Sequence, residues 1–344
     1  MNAGLRIGER LVGEGHPCLV IAEAGVNHNG DIGRAHDLVD LAADCGADAV
    51  KFQTFDPAAL VSAAADAAPY QRERGGDSQR AMLDALVLPE RAWRELADHA
   101  VERELVFTST AFDSASLDLL LEIGVQMLKV PSGELDNLAY VEEVASKGLP
   151  LILSTGLGTM NEVAAAYEAA SAAPGVAILH CVTAYPAPVE SSNLRAITTM
   201  AERFGVPVGW SDHTQGYVTA VAAVALGASI LEKHVTTDHA LPGPDHVASS
   251  DPDEFAAYVD AVRAVEAGLG DGVKRPAKAE EENRVHARRS FHAVRALQPG
   301  ETVAEVDVQL MRPAIGLPPS AEVVGRVVRR TIEAGQPLTD EDLA

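Results

Sequence analysis

Aromatic residues are scarce in this 344-residue chain, where Phe, Trp and Tyr together make up 4%. Hydrophobic residues still reach 47%. The interior must therefore be filled mainly by Ala, Val, Leu and Ile, as in parallel strands buried beneath helices. Cysteine is nearly absent. Cys18, Cys45 and Cys181 stand far apart in apolar sequence and form no CxxC pair. That spacing argues against a disulfide or thiolate–zinc framework and for a reducing compartment. Positive charge is also short, with 27 Lys and Arg against 50 Asp and Glu, a net charge of −23. So acidic a chain lacks the basic face that nucleic acid or an anionic membrane requires, although local lysines can still hold a small anion. No apolar run approaches the ~20 residues of a membrane span. The first apolar stretch, CLVIAEAGV, is short for a signal peptide and carries Glu23. The expectation is a soluble, cytoplasmic protein with neither nucleic acid nor membrane as a partner.

What the chain does have is regular alternation. From residue 18 to about 266, β-branched apolar runs recur: CLVIAEAG, DAVKFQTF, ELVFTSTA, QMLKVPSG, LPLILSTG, VAILHCVTAYP, VPVGWSDHT and ASILEKHV. Amphipathic stretches such as GRAHDLVDLAADCGA and TMNEVAAAYEAASAA separate them. Eight strand–helix units at this spacing predict an α/β fold, a (β/α)8 TIM barrel, over residues 1–267. An open doubly wound sheet is the alternative, but it calls for a G-x-G-x-x-G turn after the first strand, and none is there. DPAALVSAAADAAPYQRERGGDSQR breaks the spacing and reads as a long loop, either a lid or a surface insertion. Residues 268–284 are charged and read as a linker. Residues 285–344, punctuated by QPGE, RPAIGLPP and EAGQP, read as a small β-rich domain.

In such a barrel the C-terminal strand ends line one mouth. Here they carry Glu23, Asn27 and His28; Lys51 and Gln53; Ser109 and Thr110; Lys129, Ser132 and Glu134; Ser154 and Thr155; His180, Thr183 and Tyr185; Ser211, Asp212 and His213; and Glu232, Lys233 and His234. Buried charge costs several kcal/mol unless paired, so apolar strands that repeatedly end in ionisable groups imply convergence on one site. Two lysines facing one cavity, Lys51 and Lys129, call for an anion between them. Phosphate is the simplest, with Ser132, Ser154 and Ser211 as neutral donors. The alternative pairs each lysine with a carboxylate, Glu23 and Glu134 being at hand. His213 and His234, on neighbouring strands, can share one divalent ion in an open site suited to Mn²⁺, with Mg²⁺ or Co²⁺ as alternatives. The rival account makes them structural or solvated histidines.

IAEAGVNHNGD, VKFQTF, LKVPSGEL, LSTGLGT, HCVTAYPAP, WSDHT and EKHVTTDHALPGPDH together resemble the sialic acid synthase family. The tail, RRSFHAVRALQPGETV through MRPAIG, resembles that family's antifreeze-like SAF domain. The resemblance implies condensation of phosphoenolpyruvate with an N-acetylmannosamine-type sugar and water, giving a nonulosonic acid such as N-acetylneuraminate, and phosphate by C–O cleavage. It places Lys51, Lys129, Ser132, Ser154, Thr183 and Ser211 around phosphoenolpyruvate, although some relatives have asparagine at the position of Thr183. Gln53, Glu134, Tyr185 and Asp245 fall where the sugar is held, with Pro242 and Pro244 stiffening the turn that carries Asp245. His213 and His234 match the metal ligands, and Glu23 a catalytic glutamate beside them. Arg312 matches an arginine offered to a partner's barrel, which implies a domain-swapped homodimer. Legionaminic- or pseudaminic-type acceptors, another phosphoenolpyruvate-dependent synthase and a metal-dependent aldolase are the enzymatic alternatives. A non-enzymatic ice- or glycan-binding role for the tail is the remaining one, and Arg288, Arg289, Arg295 and Arg312 speak against it.

Overall fold

Side chains along a strand point alternately to its two faces, and that alternation sorts this molecule into interior, wall and site. The computed structural model describes residues 4–62 and 79–344. The chain divides into two units, Met1–Gly270 and Asp271–Ala344. The first opens with an antiparallel hairpin, β1 (Leu5–Ile7) and β2 (Arg10–Val12), which the sequence reading did not include. Eight parallel strands follow: β3 (Leu19–Gly25), β4 (Ala49–Thr54), β5 (Val106–Ala111), β6 (Leu128–Val130), β7 (Leu151–Ser154), β8 (Val176–Cys181), β9 (Val208–Asp212) and β10 (Ile230–His234). Their order in the sheet is β5-β4-β3-β10-β9-β8-β7-β6. At the seam between β5 and β6 the Thr108 hydroxyl donates to the Met127 carbonyl at 3.0 Å. The result is a nearly closed α/β barrel, as the alternation predicts.

Ten helices are described in this unit: α1 (Ile32–Asp44), α2 (Pro57–Leu60), α3 (Gln79–Asp84), α4 (Glu90–Glu102), α5 (Ser114–Ile123), α6 (Leu138–Ala145), α7 (Met160–Ala169), α8 (Arg195–Phe204), α9 (Val218–Ala225) and α10 (Pro252–Leu269). Side-chain caps mark several starts. Asp31, Asp113 and Asn137 accept from backbone N–H groups of the first turns of α1, α5 and α6. Thr159–Glu162 and Asp251–Glu254 form capping boxes at α7 and α10. The segment read as a lid or insertion lies largely outside the described residues, since only its ends, α2 and the start of α3, fall within them. No described helix is long and apolar enough to cross a membrane.

Inward-facing Leu19, Ile21, Ala49, Met127, Ile152, Leu179 and Ile230 fill the lower barrel, and Leu5, Ile7 and Val12 of the hairpin join them. Outward-facing Val20, Val50, Phe52, Trp210 and Leu231 pack in the core that includes the helices. The polar positions above the inner layer are thereby left to the mouth.

The second unit is built on β11 (Ser290–Ala293), antiparallel to β12 (Val308–Met311), preceded by a short helix α11 (Glu281–Ala287). Single bridges such as Leu297↔Ile332 and Val328↔Leu343 tie the remaining chain together around a small core of Ala293, Leu297, Val303, Val328, Ile332, Leu338 and Leu343.

Candidate active site

The strand phase that buries Leu19 and Ile21 carries Glu23 into the barrel one step higher. The same phase brings in Lys51 on β4, Lys129 on β6, Ser154 on β7, Ser211 on β9 and Glu232 on β10, all of them buried. Residues one step out of phase face the helices. His180 bonds the Ser192 carbonyl at 2.7 Å and packs on Trp210, and Ser109 bonds Thr54 at 2.7 Å. Asp212 accepts from Thr214 and Thr219, while Lys233 donates to the Thr214 carbonyl and lies over the Tyr258 ring. His28 is fully buried against Phe52 and Trp93. Its Nδ1 accepts from the Gly30 N–H, 3.0 Å away. These residues were read at the mouth but belong to the wall behind it.

The two lysines do converge, with the Glu232 carboxylate between them and Glu23 beside Lys51. Lys51 Nζ is 2.7 Å from Glu23 Oε2, 3.0 Å from Thr110 Oγ1 and 3.8 Å from Glu232 Oε1. Lys129 Nζ donates to Ser154 Oγ at 2.6 Å and stands 3.7 Å from Glu232 Oε2. Ser211 donates to the same carboxylate at 3.2 Å, and Gln53 to Glu23 at 3.1 Å. The carboxylate pairing is thus realised with Glu23 and Glu232. Glu134 instead accepts from Asn137 at 2.7 Å. Glu232, read at the mouth but given no role there, is the central residue of the site. Its alternation with Ile230 and His234 is the signal that sets it apart from Lys233 and turns it inward.

Burial pushes the Glu23 carboxyl up, to about 7, with Glu232's charge adding to the rise and Lys51 opposing it. Glu232 goes the other way. Burial works against its charge, but Lys129, Lys51 and the two imidazoles together hold it down, to about 2. Burial also lowers the Lys129 ammonium, against Glu232 and reinforced by Lys51. Two neighbouring carboxylates whose environments drive them apart are a pattern of acid–base sites.

Beside Lys129 a cradle of small groups is built. The Gly156 N–H donates to Ser132 Oγ at 3.0 Å, and a Cβ on Gly156 would collide with the Thr183 hydroxyl and lie 2.8 Å from Ser132 Oγ. Glycine is what lets a backbone N–H and two hydroxyls share this space. On β3, Gly25 has φ +55° at a bulge next to Glu23, re-aiming the strand end.

His213 and His234 meet with ring centroids 5.4 Å apart, and Tyr185 lies 4.2 Å from the first and 5.6 Å from the second. His213 Nδ1 faces the Val182 carbonyl at 2.8 Å. A carbonyl only accepts, so Nδ1 carries the proton and Nε2 the lone pair. His234 Nδ1 is buried with no hydrogen-bond partner among the described residues. Two imidazoles bound at about 2.1 Å to one ion can have centroids up to roughly 6.4 Å apart, so the spacing fits a shared ion. The orphaned nitrogen fits the same donor set. Among the described residues no third His, Cys, Asp or Glu completes a cluster with them, which leaves an open site. His239, which approaches Asp251 and Glu254 at 3.5 and 3.1 Å, clamps its loop to the capped start of α10.

The stretch from Thr236 to Ser250 is pinned as a wall. Asn27 donates to Val235 and Ser249 at 2.8 Å each, Asn29 donates to the Pro242 carbonyl at 2.6 Å, and Thr236 bonds the buried His246 at 2.7 Å. Asp245, on this wall, is near enough for its charge to act on Tyr185. Burial raises that phenol's pKa well above its ordinary value, and the charges of Cys181 and Asp245 raise it further. Cys181, also missed from sequence, sits 3.8 Å from His213 Nδ1. Arg312 is exposed in the second unit and is placed only within that unit.

Residues 38–274 match the NeuB family, and residues 288–344 match the SAF domain. The chain belongs to the NeuB family. This NeuB-family chain is 42% identical over 341 residues to the N,N′-diacetyllegionaminic acid synthase of Legionella pneumophila, covering 96% of each chain. It is 41% identical over 305 residues to the Campylobacter jejuni protein of the same name, covering 87% of this chain and 91% of the other. In structure it is similar to the N-acetylneuraminic acid (sialic acid) synthetase of Leptospira borgpetersenii serovar Hardjo-bovis in complex with citrate. That match has a TM-score of 0.73 and 33% identity, and covers 82% of this chain and 95% of that one.

Proposed function

We propose that this NeuB-family chain condenses phosphoenolpyruvate with an N-acetylated amino sugar and water, producing a nine-carbon 2-keto acid and inorganic phosphate. N-acetylmannosamine is the acceptor that the motifs suggest. The identity with two diacetyllegionaminic acid synthases favours a 2,4-diacetamido-trideoxy hexose, and that is the acceptor we assign first. The meeting of Lys51, Lys129, the Ser132–Gly156 cradle and the His213–His234 pair in one barrel supports the reaction class.

His213 and His234 would hold a divalent ion, Mn²⁺ first, which supplies Lewis acidity toward the open-chain aldehyde of the sugar. Lys129, Ser132, Ser154, Ser211 and the Gly156 N–H bind the phosphate and carboxylate of phosphoenolpyruvate, and Lys51 and Thr183 stand beside them. Gln53, Glu134, Tyr185 and Asp245 orient the sugar, so that C3 of the enol ester faces the carbonyl carbon. The electron pair of the enol double bond forms the new C3–C1 bond, the carbonyl π pair moves onto the sugar oxygen, which takes up a proton, and the positive charge left at C2 is quenched by water. Glu23, whose carboxyl is pushed up by burial, orients that water and takes its proton. The tetrahedral C2 centre then expels phosphate through its C–O bond, and Lys129 and the hydroxyls stabilise the leaving charge. Arg312 of a partner subunit completes the sugar site in a domain-swapped homodimer.

The test is phosphate release with phosphoenolpyruvate, Mn²⁺ and a panel of sugars, followed by mass spectrometry of the product. The expected acceptor is the diacetamido-trideoxy hexose. Chelation should abolish turnover and Mn²⁺ restore it. Absence of phosphate release with every sugar in the panel would remove the assignment, and near-native turnover by Glu23→Gln would remove that residue's role.

A further inference from the structure

The chain is strongly acidic, yet one part of its second unit gathers cations with few counter-charges. An exposed groove of about 460 Å³ runs along α11, lined by Lys274, Arg275, Asn283, Arg284 and Arg288, with Glu280 the single carboxylate in its wall. That carboxylate is engaged with the backbone, accepting from the Ala277 N–H at 2.7 Å. Arg275 is steadied by Asp271 at 2.6 Å and remains on the groove edge. Lys274, Arg284 and Arg288 have no carboxylate within ion-pair distance among the described residues, unlike Arg295, Arg326 and Arg330 elsewhere in the unit. Arg284 lies in α11 and Arg288 is the residue that caps its C-terminus, donating its N–H to the Arg284 carbonyl at 3.2 Å, so two like charges line the same space and repel. The favourable interaction of cations with the end of a helix offsets part of that repulsion, but it does not call for Lys274 and Arg275 to face the same space.

We propose that this groove binds a small multivalent anion of the phosphate class, separately from the barrel mouth. Planar guanidinium forks suit phosphoryl oxygens, and the Asn283 amide adds a neutral donor. The anion would remove the repulsion between Arg284 and Arg288 and draw the 274–276 segment against α11. Inorganic phosphate and a larger phosphate ester share this chemistry, so the test uses both sources.

The experiment is calorimetric titration of the full chain with inorganic phosphate, inorganic pyrophosphate and phosphoenolpyruvate, comparing wild type with Arg284→Gln/Arg288→Gln. A second variant, Arg326→Gln/Arg330→Gln, removes the same charge from arginines that are already paired. Pyrophosphate affinity should fall by about tenfold or more in the first variant and hold in the second, while phosphate-release turnover is unchanged in both. Because phosphoenolpyruvate also binds at the barrel mouth, the source is read from the loss in the first variant: a larger loss for inorganic phosphate would identify the free ion as the ligand, and a larger loss for phosphoenolpyruvate an ester. Equal binding by wild type and the first variant would overturn the proposal, as would an equal drop in both variants. A change in the oligomeric state of the first variant by light scattering, with anion affinity intact, would assign the patch to contact between copies and also overturn it.

Discussion

At the scale of single residues, Glu232 holds the site together. Its carboxylate lies 3.8 and 3.7 Å from two buried ammonium groups that would otherwise face each other. Glu232→Gln should therefore destabilise the fold by roughly 3–5 kcal/mol, the usual cost of stranding a buried charge, as read from denaturant midpoints. Adding Lys129→Met to that variant should recover most of the loss, and an additive loss would show that the residues do not act as a cluster. His28 makes a prediction in pH. Burial lowers its pKa from the ordinary 6.5 to about 4, so the unfolded chain binds the proton first. Its contribution is complete above pH 6.5 and is lost as the pH falls toward 4, by on the order of 3 kcal/mol. His28→Gln, which keeps an acceptor for Gly30, should be flatter than wild type between those limits in urea titrations. Gly156→Ala should raise the KM for phosphoenolpyruvate about tenfold or more with little change in melting temperature, because the added methyl displaces the Thr183 and Ser132 hydroxyls.

At the scale of elements, strand phase decides most outcomes. The eight strands and their mouth were legible because each apolar run ends in polar residues, and the pairs Lys51–Lys129 and His213–His234 emerged from those ends. Which end residues face inward was written in the same runs: Ile230, Glu232 and His234 alternate with Leu231 and Lys233. Reading the ends as a block placed Asp212, Lys233, His180 and His28 at the mouth, whereas their partners lie in the helix layer. The hairpin of β1 and β2 was not legible, because three-residue strands carry too little periodicity to stand out. Its importance lies in packing. Ile7 is fully buried in the lower barrel, and Ile7→Ala should cost about 2–4 kcal/mol by thermal or denaturant unfolding. Gly209→Ala on β9 should be worse than an ordinary overpacked site, above about 3 kcal/mol, since its methyl would meet the Ile230 carbonyl as well as a Leu179 methyl.

At the scale of the whole molecule, the chain is a large barrel followed by a small unit with its own core. The proposed exchange of Arg312 between subunits can be read by mixing. Arg312→Ala and Lys129→Met should each be inactive alone. Co-expressed, they should regain roughly a quarter of wild-type turnover, because half the dimers are mixed and each mixed dimer owns one intact site. Silence from the mixture would place Arg312 at its own subunit's site, and activity of Arg312→Ala alone would place it outside the chemistry. The pinned wall from Thr236 to Ser250 has a bearing on enzyme engineering. Its anchors, Asn27, Asn29 and His246, fasten it to the scaffold, so one side of the rim cannot easily be reshaped. A library intended to broaden the range of sugars belongs on the opposite bank, at Thr183, Ala184, Glu134 and Asp136, which lie outside the packed core, so a changed side chain does not have to carry the barrel with it.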